Sequence, residues 1–234
     1  MTPYSLHSLK YTADINTRHL APTQLQAIEQ AQAAILARYG LPPLGKPVAA
    51  AHEAGHVVAM AALGDTVTGA RLVRRAYCGL SEWVGLNART APAGGRQYNT
   101  TVDVRLEPAW GFRLAIAEVS GVAGERAAGL DHPASSIDEI GKALMICSAL
   151  GDRYGVDPLQ VFAALERTAD ALIAANRNPF DVVRGHLYAT GRLTSAEARR
   201  MLARVVRMPM PEGGDQRADR LVRGAVLTGA GGPI

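Results

Sequence analysis

The chain has few cysteines and few aromatic residues. Its two cysteines, Cys78 and Cys147, are far apart and form no CxxC pair, so the sequence predicts no disulfide framework. Aromatic residues make up only 5% of the chain, and its arginines are scattered along it. The net charge of +4 therefore indicates solvated faces, and no nucleic-acid partner is expected.

Long apolar runs are also absent. No segment approaches the length of a membrane-spanning helix, and residues 1–10 lack the apolar core of a signal peptide, so we expect a cytoplasmic protein. A Walker-type GxxxxGK[ST] sequence is missing, which excludes a P-loop nucleotide motor on these residues. The 234 residues, 48% of them hydrophobic, are typical of one sizeable domain with appendages.

One short motif carries most of the functional information. The pentapeptide HEAGH, residues 52–56, lies inside the apolar run 47–63, which begins with proline and is followed by glycine, as is typical of a buried helix. On a helix His52 and His56 share one face, so both imidazoles can bind one zinc ion while Glu53 acts as general base. Hydrogen-bonded core side chains are the alternative, but three ionisable residues in an apolar helix each need a buried partner, which favours a metal.

Periodicity predicts a mainly helical α+β fold with a small β-sheet. Helices are expected over 22–39, 47–63, 108–129, 135–151, 158–175, 179–191 and 194–206, a β-hairpin over 66–73 and 78–86, and a third strand over 100–106. Small side chains over 120–128 predict close helix packing. The expected organisation is a helical extension over 1–44, a central domain over 45–206 and a largely flexible tail over 207–234.

A catalytic zinc ion normally has a third protein ligand, and the residues alone leave its identity open. No histidine follows His56 before His132, so the third ligand must come from elsewhere in the chain, as Asp, Glu or His. The candidates are Glu118, Glu125, Asp138 and Glu139. Asp138 with Ser135, or Glu139 with Ser136, could equally form a simple helix-capping pair.

The order of these features resembles the peptidase domain of the FtsH-type, membrane-anchored ATP-dependent zinc proteases. HEAGH is that family's usual zinc motif. Gly-Glu-Arg-Ala-Ala at 124–128 is similar to its Gly-Gly-Arg-Ala-Ala-Glu segment, and Ser-Ser-Ile-Asp at 135–138 is similar to the Ser-Asn-Asp pattern that carries its acidic ligand. The resemblance covers about residues 45–205. It implies a zincin-like helix bundle, Zn²⁺ held by His52, His56 and Asp138, and Glu53 as general base.

The resemblance also implies a function, a zinc metallopeptidase that hydrolyses unfolded or flexible polypeptides. The family's ATPase module and membrane helices have no counterpart in these residues, so a separate ATPase or self-association is a possible partner. The alternatives are a catalytically inactive domain that acts as a binding or regulatory module, and a regulatory metallopeptidase that cuts a transcription repressor. A peptide digest with and without chelator separates the inactive domain from the two peptidases.

Overall fold

The computed structural model describes residues 43–77, 80–90, 107–130, 132, 135–208 and 216–228, together with Thr23, Ala37, Arg38 and Gly40. This part of the chain is mainly helical with a small antiparallel sheet, which confirms the predicted α+β class. Its elements are α1 (Lys46–Ala62), β1 (Thr66–Tyr77), β2 (Leu80–Thr90), α2 (Pro108–Ala127), α3 (Ile137–Tyr154), α4 (Pro158–Ala175), α5 (Arg177–Thr190), β3 (Arg192–Thr194), α6 (Ser195–Met201) and α7 (Gln216–Thr228).

Helix α1 forms the centre of the molecule. Proline in its first turn costs no hydrogen bond, and the helix stops before Gly64, whose φ of 95° favours glycine. Nearly every side chain between Ala49 and Ala62 is buried, because α2, α5 and the β1–β2 hairpin surround the helix. The buried helix predicted over 47–63 is therefore confirmed.

Glycines bring α1 and α2 into backbone contact. A Cβ atom on Gly55 of α1 would lie 2.1 Å from the carbonyl oxygen of Ser120, and one on Gly124 of α2 would lie 2.5 Å from the carbonyl oxygen of Ala51. Neither position has room for a side chain. The close packing predicted from the small residues over 120–128 is confirmed.

The sheet has the strand order β2-β1-β3, so β2 is an outer strand of the sheet as described. Strands β1 and β2 form the predicted hairpin, longer than expected, with Val73 opposite Val84 and Leu72 opposite Gly85. The short strand β3 was not predicted; it buries Leu193 and pairs antiparallel with β1. The strand predicted over 100–106 and the helix predicted over 22–39 fall outside the described residues, apart from three positions of that helix.

Helices α3, α4 and α7 pack against α2, whereas α5 packs against α1 and α6 against β1. Helices α3 to α5 lie close to their predicted ranges, whereas α6 ends at Met201, before the predicted end at residue 206. Thr194 with Glu197 forms the predicted capping box of α6. Residues 216–228 differ from the expected flexible tail: they form α7, which buries Val222 and Val226 against α2 and α4. Among the described residues, no helix combines the length with the hydrophobicity that a bilayer crossing requires.

The contact between α1 and α2 can be tested with matched glycine substitutions. Gly55→Ala should lower the free energy of unfolding by about 1–3 kcal/mol, because the overpacked methyl group forces the helices apart. Gly141→Ala on α3 is the control: nothing lies within 4 Å of its added Cβ, so helix propensity should raise stability by up to about 1 kcal/mol. Urea unfolding of both variants measures the difference, and a Gly55→Ala variant as stable as Gly141→Ala would contradict the contact.

Candidate metal centre

His52 and His56 meet through their Nε2 atoms. They lie one turn apart on the same face of α1, both are buried, and their Nε2 atoms are 2.9 Å apart. The two rings are nearly perpendicular, with centroids 4.6 Å apart. The convergence predicted from the HEAGH spacing is thus present.

Hydrogen bonds to acceptors on α2 fix the tautomer of each imidazole. His56 Nδ1 lies 2.8 Å from the carbonyl oxygen of Ala117, which can only accept, so this nitrogen carries the proton. His52 Nδ1 donates in the same way to Glu125 Oε1 at 2.7 Å. In the neutral rings, both Nε2 lone pairs therefore face each other and repel unless a proton or a cation lies between them. Metal-binding histidines show this arrangement, in which Nδ1–H is held by an outer acceptor.

A third group, the half-buried carboxylate of Glu139 on α3, faces the two Nε2 atoms. Its Oε1 lies 3.4 Å from His52 Nε2 and 3.8 Å from His56 Nε2. Its Oε2 is buried and has no hydrogen-bond partner among the described residues, although buried carboxylate oxygens are normally satisfied. Two imidazole nitrogens and a carboxylate oxygen suit a transition-metal ion such as zinc.

Glu53 completes the cluster from the neighbouring position of α1. The ligand atoms of His52, Glu53 and His56 all lie within 4.8 Å of one another, so this buried group could hold a metal ion. The Asn87 side chain on β2 donates to Glu53 Oε2 at 3.2 Å. Strand β2 passes directly over this carboxylate, since a Cβ on Gly85 would lie 1.9 Å from Glu53 Cγ.

The pKa shifts follow from burial and from the charges that face each other. Burial alone would lower the pKa of His52, but the charge of Glu139 and the hydrogen bonds to Glu125 and Glu139 raise it well above its usual value. Burial opposes ionisation of Glu139 too, yet the two histidines bring its pKa far below the ordinary range. At Glu53 burial raises the pKa by more than the two histidines and Asn87 lower it, so its pKa lies above the usual value. The surroundings of the two Nε2 atoms thus favour a positive charge.

The space in front of the cluster is narrow. A cavity of about 40 Å³ opens between α1, β2 and α3, lined by Leu44, Ala49, His52, Glu53, Trp83, Val84, Gly85, Ser135 and Glu139. On the α2 side, a Cβ on Gly121 would lie 2.4 Å from the His52 ring, so glycine is needed to seat the imidazole. A larger apolar cavity of about 240 Å³ touches Pro47 and Ala50, which lie on another face of α1 at 100° per residue.

The described structure brings together most of the predicted site residues. His52, Glu53 and His56 converge, and of the acidic candidates Glu139 and Glu125 contact the imidazoles, whereas Glu118 lies beside Lys142. The side chain of Asp138 falls outside the described residues, so its assignment as third ligand stays a prediction.

Gly85, Asn87 and Gly121 were not predicted as site residues. Gly85 did give a signal, because glycine inside a strand often marks the close approach of another group. Gly121 stood among the small residues expected to pack closely. For Asn87 the sequence offered no signal.

The comparisons with known proteins do not assign the chain to a family. Neither the scan against models of protein families nor the search among curated proteins finds a match. The resemblance to the FtsH-type peptidase domain therefore stays a prediction from sequence.

The third ligand can be assigned by metal analysis of two adjacent variants. Glu139→Ala should weaken zinc binding by more than about a hundredfold, because losing a ligand costs more than losing an outer hydrogen-bond partner. Asp138→Ala is the matched control and should keep a stoichiometric zinc content, measured by competition with a chromogenic chelator. The opposite pattern would assign the ligand to Asp138.

A second variant tests the brace on His52. Glu125→Gln keeps the size of the side chain but removes its charge, and zinc affinity should fall by about 10–100-fold. Glu118→Gln on the same helix should leave zinc affinity unchanged. Equal affinities for both variants would show that the contact between His52 and Glu125 does not support metal binding.

Proposed function

We propose that this chain is a zinc metallopeptidase that hydrolyses peptide bonds in unfolded or flexible polypeptides. The observation that carries the proposal is the pair of converging Nε2 atoms, 2.9 Å apart, each on an imidazole whose Nδ1 is already engaged. Next to them, on the same helix, lies a buried carboxylate, that of Glu53. This is the donor set and the base of a zinc peptidase of the HExxH type.

The residues that would hold the ion are His52, His56 and an acid of α3. The described contacts favour Glu139 as that acid, with Asp138 as the candidate from the family resemblance. A bound Zn²⁺ supplies a Lewis acid, which makes a water molecule more acidic and stabilises negative charge on the carbonyl oxygen of the substrate. A zincin-like fold of the FtsH type is part of the same proposal.

Glu53 is the residue that moves the proton. Its carboxylate accepts a proton from the attacking water as the water oxygen bonds to the carbonyl carbon. The same group then delivers the proton to the leaving nitrogen as the C–N bond breaks, giving one carboxylate and one amine product. The hydrogen bond from Asn87 holds the carboxylate in place for both transfers.

The outer edge of β2 supports an extended polypeptide as the substrate. The Trp83 N–H donates to the Leu44 carbonyl at 2.8 Å, on the side of β2 away from β1. Because backbone groups alternate along an antiparallel strand, Gly85 presents its N–H and C=O on the same outer side. Leu72, which lies opposite Gly85 on β1, donates its N–H away from β2 to the Gly191 carbonyl at 2.7 Å. The backbone N–H and C=O groups of this residue pair therefore do not bond each other, as expected if those of Gly85 point outward. A substrate strand paired there would pass beside Glu53.

A narrow cleft admits an extended chain but not a folded domain. Disordered segments and small peptides are thus the proposed substrates. A folded substrate would need a separate unfolding ATPase. A cytoplasmic location fits both the polypeptide substrate and this ATPase.

The variant Glu53→Gln separates catalysis from metal binding. It should retain zinc at the stoichiometry of the unchanged protein and lose nearly all hydrolysis of casein, because the amide cannot accept the proton. Asn87→Ala is a milder companion that should lower kcat by about 10-fold or less, as the base is kept but less firmly held. Hydrolysis that survives in Glu53→Gln would remove this residue as the base, and zinc-loaded protein with no chelator-sensitive cleavage would favour the inactive binding module.

A further inference from the structure

One end of the cleft is closed by the chain itself. Residues 43–45 lead into α1, and the Leu44 carbonyl takes the outward N–H of Trp83 on β2. Leu44 also lines the cavity beside His52 and Glu53. A substrate strand paired with Gly85 therefore cannot continue along β2 past Trp83, since its next backbone partner is already taken.

A cation lies at this closed end. Lys46 Nζ is 5.1 Å from the ring centroid of Trp83 and 5.4 Å from that of Tyr188, and the Lys46 side chain is half-buried. Two aromatic faces stabilise an ammonium group and leave its N–H donors available to a third partner. Within the described part of the chain, no carboxylate pairs with Lys46.

The spacing relates this cation to the reacting bond. Lys46 and Glu53 are seven residues apart on α1, so they lie on the same face, two turns or about 10 Å apart. An extended substrate covers that distance in two or three residues, at roughly 3.3 Å each.

We propose that, given the peptidase reaction above, this site takes polypeptides by their free C-termini and releases fragments of two or three residues, with Lys46 binding the terminal carboxylate. An ammonium terminus would be repelled there, so charge selects the C-terminus. Since that end points toward Trp83, which precedes Gly85 on β2, the substrate runs antiparallel to the strand. Each cut consumes one water, frees an amine on the short fragment and leaves a new C-terminal carboxylate on the longer one, which is again a substrate.

The cleavage test uses one unstructured peptide in two forms, with a free C-terminal carboxylate and with a C-terminal amide. Zinc-loaded protein should cut the free acid two or three residues from its end, and the amide roughly tenfold more slowly, the loss expected for one charged hydrogen bond. Lys46→Met should cut both forms at the slow rate, while Lys46→Arg should restore the preference for the acid. Mass spectrometry of the products locates the cuts.

A binding test does not depend on turnover. Fluorescence anisotropy should show that the Glu53→Gln protein binds the labelled free acid more tightly than the amide, and that adding Lys46→Met abolishes the difference. Thermal unfolding of the Lys46 variants checks that they remain folded.

The outcomes are distinct. Equal cleavage of acid and amide, or cuts throughout the interior, would overturn C-terminal selection and leave the peptidase intact. A carboxylate preference in binding that needs Lys46, without any hydrolysis, would overturn the peptidase and the trimming but keep the carboxylate site. If the protein neither cleaves the peptide nor binds the free acid more tightly than the amide, both proposals are overturned.

Discussion

Helices α1 and α2 touch through glycines, and the geometry of the candidate metal centre depends on that contact. Gly55 and Gly124 let the two backbones approach so closely that a helix carbonyl of α2 reaches one imidazole directly. A glutamate on the same helix reaches the other. Larger side chains would separate the helices and lengthen both hydrogen bonds. The small residues are thus needed for the arrangement of the two imidazoles as much as for the packing.

Local signals in the sequence predicted most of the described fold, whereas long-range pairing escaped them. The caps and composition of α1 and the alternation in the hairpin were sufficient, because each signal lies within the element itself. Strand β3 has only three residues and exists through its pairing with β1, which no local pattern reveals. Helix α7 had a weak signal: Val222, Ala225 and Val226 are spaced as one helical face, and all three are buried.

For the third metal ligand, the family resemblance and the geometry of helix α3 favour different residues, Asp138 and Glu139. The family resemblance implied Asp138. On α3, however, Glu139 stands one and two turns before Ala143 and Cys147, which are both fully buried, while the row that begins at Asp138 continues to the exposed Lys142. This buried row of small residues favours Glu139 as the acid near the imidazoles, and the assignment of the third ligand stays a prediction. Burial of the Cys147 thiol within that row raises its pKa to about 12, which keeps the thiol protonated at neutral pH.

The two imidazoles are braced by different parts of α2. His52 donates a hydrogen bond to the side chain of Glu125, and His56 donates one to the main-chain carbonyl of Ala117. A codon change can delete a carboxylate, but every amino acid carries a carbonyl. Evolutionary drift can therefore erode the orientation of His52 one substitution at a time, whereas His56 keeps its support for as long as α2 stays helical.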